Sequence, residues 1–371
     1  MNKELFGDKA DTGGSTADFP AIRAPSRWTA GGDLTLSLAA RASAVFVLLM
    51  LAILIFVLSR SAVTSVKLFG WKFLVTSEWR PNELDRPVIG ANGKPVLDED
   101  GEVKTETIPP SFGALPVIFG TIVSSMLALL FAVPLSFGAA LFLVRIAPRG
   151  VLGLVSFLIE FLAAIPSLAY GIWGLFVLCP FLQSHFEPFL RTIFVHAPLL
   201  GRMFYQRTES GSLVPIALTG RDMLAGALVL AIMILPIITA VSRDVLRAVP
   251  RAQIEATVAL GATWWESCKE MLKYSRSGLF GGVMLGFARA TGETMAVTMV
   301  IGNNSQIRGS IFAAAQTMSS LLANEFAEAT TDEHRAALIE VALILLLMSL
   351  GFNIVARWLV VGKGARSAAA H

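Results

Sequence analysis

The 371-residue chain is 54% hydrophobic and only 15% charged, with a formal net charge of +3. With a mean hydropathy of +0.66, this excludes an ordinary water-soluble globular protein and predicts a polytopic membrane protein. The small positive excess suits basic cytoplasmic loops rather than a nucleic-acid surface, so no nucleic acid is expected among the partners.

In chain order, residues 1–41 are polar and lack the apolar core of a signal peptide near the start. They read as a flexible cytoplasmic tail. The first apolar run, 42–59, is bracketed by Arg41 and Arg60, which can reach the two interfaces of a bilayer, and it predicts an uncleaved anchor. Residues 60–112 form a long polar loop. Its Gly90, Asn92, Gly93 and Asp98–Gly101 read as surface turns, because the ligand spacing of a calcium loop is missing.

Five further apolar runs follow, at 115–144, 151–178, 223–241, 279–301 and 336–355, and the predicted fold is all-α, a bundle of six transmembrane helices. Pro134 and Pro166 predict kinks or interfacial extensions rather than extra crossings. The core transmembrane unit is expected over 113–362, with a short tail at 363–371. An even number of spans puts both termini on one side. Arg243, Arg247, Arg251, Lys269, Lys273 and Arg276 in loop 243–276, with Arg145, Arg149, Lys363 and Arg366, make that side the cytoplasm. Loops 60–113, 179–222 and 302–335 then lie outside. Cys179 and Cys268 fall on opposite sides of the membrane, so no disulfide is expected between them. With four His in all, they offer no metal-ligand spacing, and neither metal nor cofactor is predicted. No Walker A sequence, HExxH or nucleophile elbow occurs, so the chain is expected to be non-catalytic.

Two places carry chemistry. In loop 243–276, Pro250 suits the start of a helix and Gly261 its end, predicting two short amphipathic helices with Ile254, Val258, Leu260, Trp264 and Trp265 as apolar surface. Such a knob needs a partner to cover it. In the fifth run, Arg289 and Glu293 stand four residues apart, on one face of a continuous helix and near the middle of a bilayer. One ionised side chain there costs at least about 3 kcal/mol on insertion scales, so the pair predicts a charged step on a solute pathway rather than structural glue. Gly282 and Gly286 predict close helix approach, and Thr291, Thr294 and Thr298 are minor candidates that more often bond their own backbone. Glu160 and Glu340 are further intramembrane acids and functional candidates, Glu160 for the solute pathway, each able instead to pair with Arg289 or to sit nearer an interface, whereas Tyr170 and Asn353 read as packing residues.

Glu255-Ala256-Thr257 followed by Gly261 resembles the signature of the permease subunits of binding-protein-dependent ABC importers, although Thr257 replaces the commonest alanine and Lys273-Tyr274 stands where a Leu-Pro ending is usual. The run 281–303 around Arg289, together with 157–171 and 225–238, is similar to phosphate-importer permeases of the PstC type. The resemblance covers roughly 113 to the C-terminus. It implies the MetI-like type I importer fold in a bacterial inner membrane, surrounded by lipid, with a homologous PstA-type permease sharing the phosphate path. It also implies a PstB-type cytoplasmic ATPase dimer gripping Glu255, Ala256, Leu260, Gly261, Ala262 and Trp264, and a PstS-type periplasmic phosphate-binding protein on the outer loops. Arg289 would offer paired N–H donors to phosphate oxygens. Glu293 would accept a bond from the P–OH or, the preferred reading, orient Arg289 and weaken the positive field. Rival expectations are a permease for sulfate or molybdate, or a gated anion channel.

Overall fold

The computed structural model describes residues 27–87, 103, 105–194, 197, 201–207 and 212–368. Most of the tail expected at 1–41, and the turns expected at 90–101, lie outside the described residues. The chain divides into a first unit, Met1–Phe56, and a second, Val57–His371. Helix α1, Arg27–Phe69, begins well before the predicted anchor, so residues 27–41 are helical rather than a flexible tail. A short α2, Lys72–Val75, follows it. An antiparallel hairpin of β1, Leu84–Pro87, and β2, Thr105–Ile108, pairs Leu84 with Ile108 and Pro87 with Thr105.

Helix α3, Leu115–Leu141, starts with Pro116, where a missing N–H costs nothing, and ends in a π-helical turn, Phe142–Ile146. Gly120, Ser124, Ala128, Ala132, Ser136 and Ala140 recur every fourth residue and are all buried. This small-residue stripe lets α3 lie close against the long core helix α8, Met223–Arg247. Leu230, Ile234 and Ile238 of α8 are fully buried in the resulting core with Ala128 and Ala132.

The predicted third span is not one helix. It breaks at Ile165–Pro166 into α4, Arg149–Ala164, and α5, Ser167–Trp173, because proline drives its predecessor into extended backbone (Ile165 ψ 129°). From α5 the chain continues through π-helical turns, α6, Cys179–Phe181, and α7, Glu187–Phe194, so part of the loop expected at 179–222 is helix. Strands β3, Tyr205–Arg207, and β4, Leu213–Pro215, form a second small hairpin before α8.

Beyond α8 come α9, Arg251–Ala259, and α10, Trp264–Tyr274, and then α11, Arg276–Thr291. On α11, Gly278, Gly282 and Gly286 face Val245, Val241 and Ile238 of α8, and a Cβ at Gly286 would stand 2.7 Å from Ile238. The close approach read from the glycines is therefore met by α8. The fifth predicted span is also broken: α12, Met295–Val300, is separated from α11 by Gly292, Glu293 and Thr294. Residues 302–317 then pack back against the protein, before α13, Met318–Glu325, which makes part of the loop expected at 302–335 helical, and the final helix α14, Asp332–Ala368. Among the described residues five helices are long and apolar enough to cross a membrane, against six predicted spans.

Candidate functional site

The returning segment 302–317 is held against α12 and α3. Gly302 (φ 92°) and Asn303 (φ 51°) reverse the chain after α12. Ala315 then donates its N–H to the Ile301 carbonyl at 3.0 Å, and the Met318 N–H reaches the Thr121 hydroxyl of α3 at 2.9 Å. Thr317 and Ser320 cap α13 reciprocally. Ser310, Gln316, Thr317, Ser319 and Ser320 are all buried, which places polar side chains where the sequence predicted an outside loop.

This segment meets the break between α11 and α12. Ser319 donates its hydroxyl hydrogen to the Glu293 carbonyl at 2.7 Å, and the Glu293 N–H turns back to Ala290 at 3.3 Å. The Glu293 side chain is buried, and its Oε1 accepts the Ala296 N–H at 3.4 Å, as a cap on α12. Arg289, in the last turn of α11, is exposed and has neither hydrogen bond nor ion pair among the described residues. Arg289 and Glu293 are therefore not a pair on one helical face, and Glu293 does not orient Arg289 by contact. The reason is the interruption at Gly292, which removes the i, i+4 geometry. Thr294, Thr291 and Thr298 bond backbone carbonyls, of Gly292, Ala288 and Thr294 respectively.

The other acids part company. Glu160 on α4 is exposed and pairs with Arg243 of α8 at 3.7 Å, not with Arg289. Glu340 on α14 is buried, and its Oε2 has no hydrogen-bond partner. The Tyr170 hydroxyl donates to the Leu162 carbonyl at 2.8 Å and Asn353 to that of Ser349 at 2.9 Å, both local backbone bonds. Cys179 and Cys268 are free and buried.

At the far end of α8 lies the two-helix knob. Pro250 caps α9 and Leu260 ends it, and Gly261 adopts φ 83°, which a side chain with a Cβ resists. Thr263 and Glu266 form a capping box on α10, whose hydrogen bonds from Thr263 hold the Glu266 carboxyl below its ordinary range. Leu260 is 89% exposed, and Val258, Trp264 and Trp265 are each more than half exposed. Glu255, Ala256 and Gly261 are exposed too, while Ala262 is half-buried. Thr257, the residue that departs from the usual alanine, turns inward: its hydroxyl bonds the Ile254 carbonyl at 2.7 Å and reaches Ser267 of α10 at 3.4 Å. Lys273 pairs with Glu270, and α10 runs on to Tyr274, so the second helix ends without a Leu-Pro stop. A cavity of about 490 Å3 opens behind the knob, between Gln253, Thr257, Ser267, Lys273 and Arg276. It is built from the knob's own helices and the start of α11, and Arg289 does not line it.

The chain thus combines membrane-length helices with an exposed apolar knob after its core helix and a cation, Arg289, that is unpaired among the described residues. The chain belongs to the family described as binding-protein-dependent transport system inner membrane component, whose model matches residues 132–362. It is a multi-pass inner-membrane protein.

Among individual relatives, the chain is 37% identical over 356 residues to the phosphate transport system permease protein PstC of Mesorhizobium japonicum, covering 95% of this chain and 98% of that protein. It is 40% identical over 307 residues to the protein of the same name from Pasteurella multocida, covering 82% of this chain and 84% of that one. Among solved structures, the MetNI methionine ABC transporter in an inward-facing conformation matches with a TM-score of 0.43 and 17% identity, over 67% of this chain and 94% of that chain.

Sequence reasoning missed the returning segment and Ser319. The run Gln316-Thr-Met-Ser-Ser carries a helix-start pattern that was available. Its contact with Glu293, across 26 residues, has no local signal.

Proposed function

We propose that this chain is the PstC-type permease subunit of an ATP-driven phosphate importer. The observation that carries this reading is the 37% identity to a phosphate permease over nearly the whole of both chains. A homologous PstA-type permease completes the path, a PstB-type ATPase dimer grips the α9–α10 knob, and a PstS-type binding protein delivers phosphate from outside. Both termini lie in the cytoplasm. The subunit hydrolyses nothing itself.

Arg289 is the anion-binding step. Its guanidinium is always charged and presents parallel N–H donors that match two phosphate oxygens. Because no carboxylate among the described residues pairs with it, an entering anion meets an uncompensated cation there. Closure of the ATPases moves the knob, and the helices rooted in it turn the Arg289 region from one side of the membrane to the other.

The test is Arg289→Gln in the complete transporter reconstituted in vesicles. Phosphate uptake is lost while the four-component complex still assembles. Normal uptake by an assembled Arg289→Gln transporter would remove Arg289 from the path. Competition by sulfate or molybdate as strong as that by phosphate would replace the substrate, and uptake by this chain without the ATPase would replace the class with an anion channel.

A further inference from the structure

We propose that Ser319 is a positioning residue that holds the α11–α12 helix broken and so keeps Glu293 out of reach of Arg289. The proposal rests on the reading of Arg289 as the anion-binding step. It starts from a conflict between spacing and structure. In a continuous helix, residues 289 and 293 would share one face, and a guanidinium and a carboxylate there would pair. In the protein they do not, because the helix is interrupted at Gly292 and Glu293 instead caps α12 through Ala296.

An interruption of this kind leaves backbone groups without their helical partners, and away from water each must find another. The carbonyl of Glu293 finds Ser319, at 2.7 Å. The donor is well placed to serve as a fixed post. Ser319 is buried in the first turn of α13. Its oxygen lies 3.2 Å from the Thr317 hydroxyl, whose hydrogen it can accept while giving its own to Glu293. The turn itself is fastened to α3 through Thr121. Neither α11 nor α12 contributes the donor to that carbonyl. It comes from a segment 26 residues away in sequence.

Two arrangements of the same segment are thus available. In the broken one, seen here, the Glu293 carbonyl is satisfied by Ser319 and Arg289 is free for an anion. In the continuous one, the carbonyl is satisfied within the helix and the Glu293 carboxylate competes for Arg289. Removing the Ser319 hydroxyl orphans the carbonyl and shifts the balance toward the second. Glu293 then acts as an internal competitor of phosphate, which raises the half-saturating concentration without touching the maximal rate set by the ATPase.

The experiment measures phosphate uptake by the complete reconstituted transporter over a range of phosphate concentrations. Ser319→Ala raises KM by about tenfold at little changed maximal rate, as expected if the unpaired state falls to about a tenth of the population. Ser319→Thr, which keeps a hydroxyl, restores KM to within about twofold, well inside that tenfold range. Adding Glu293→Gln to Ser319→Ala also lowers KM, because the competitor is gone. Should Ser319→Ala fail to assemble, Ser319→Cys, a poorer donor, is read in its place and shows the same increase in smaller measure. An unchanged KM in the assembled variant, or a raised KM that Glu293→Gln does not lower, overturns the proposal. Arg289→Gln is measured alongside. If it abolishes uptake while Ser319→Ala is neutral, only the positioning role fails. If it transports normally, the path reading itself has failed.

Discussion

Gly120 of α3 lies so close to the returning segment that an added Cβ would fall on the backbone oxygen of Gln316. The obstacle is main chain, so no side-chain rotation relieves it. Gly120→Ala is expected to push 302–317 off α3 and destabilise the subunit by about 1–3 kcal/mol. Gly138→Ala, on the same helix but with nothing within 4 Å of the new Cβ, is the control. Thermal unfolding of the purified complex compares them, and equal midpoints would contradict the close packing.

Trp79 and His334 converge on one carboxylate. The indole N–H donates to Glu325 Oε2 at 2.8 Å, and His334 Nε2 lies 3.0 Å from the same oxygen. Phe112 stacks on His334 at 5.4 Å and meets Trp79 edge-on at 5.2 Å. This cluster ties the segment after α2 to the end of α13 and the start of α14. Glu325→Ala leaves a half-buried donor without its acceptor and is expected to cost about 1–3 kcal/mol, with a changed Trp79 emission. Glu325→Gln keeps an acceptor oxygen and loses less. Identical stability of the two variants would show that the carboxylate holds nothing.

Asp222 caps α8, accepting the Ala225 N–H at 2.8 Å. Burial pushes its carboxyl up to about 6, against the pull of that hydrogen bond. Glu187 of α7 is fully buried beside it, and both of its oxygens, with Asp222 Oδ2, lack a donor. An acid whose folded value is raised binds its proton more tightly folded than unfolded. Its burden on stability is absent below the unfolded value, grows as pH rises from about 4 to about 6, and is fully present above that. Acidification from pH 7.5 to 5 is therefore expected to raise the thermal midpoint. Glu187→Gln supplies Asp222 with an amide donor, so it should stabilise the protein at pH 7.5 by about 1 kcal/mol and flatten the pH dependence. A variant with the same slope as the parent would exclude the pair as its source.

Gly261 stands at φ 83° with nothing within 4 Å of a Cβ, so backbone conformation alone restricts it. Gly261→Asn, which tolerates the left-handed region, should retain most transport. Gly261→Val is expected to strain the bend by about 1–2 kcal/mol, and Gly261→Pro to lose it, because the ring fixes φ near −65°. The readout is ATP hydrolysis stimulated by phosphate-loaded binding protein, set against uptake. Gly261→Pro should still hydrolyse ATP but transport little. Full coupling in that variant would refute the knob as the ATPase's lever.

The helical membrane class, the bare knob and the glycine contacts of α11 could be read from residues because each depends on neighbours a few positions away. Apolar length records whether a segment can leave water. Glycines four apart on α11 announce a close approach, although not that Val241 and Ile238 make it. Pro250 and Gly261 mark the ends of α9 through their own backbone restrictions.

The same local logic failed where distant groups intervene. Composition read 279–301 as one helix, since no residue within it forces a stop. At the interruption a hydroxyl from α13, that of Ser319, donates to the Glu293 carbonyl, a contact that nothing within 279–301 announces. Composition likewise missed the helix Met318–Glu325 and the burial around it within 302–335, because buried serines and threonines look solvent-loving until their partners on α3 and in the capping box are known.

The sequence by itself determined that this is a polytopic helical membrane protein with a cation, Arg289, within its fifth apolar run, because partition into lipid and short-range backbone preferences are properties of local composition. Only the tertiary structure decided that this cation has no partner among the described residues. A carbonyl freed from its helix must find a donor wherever the fold brings one, and no spacing along the chain records where that will be.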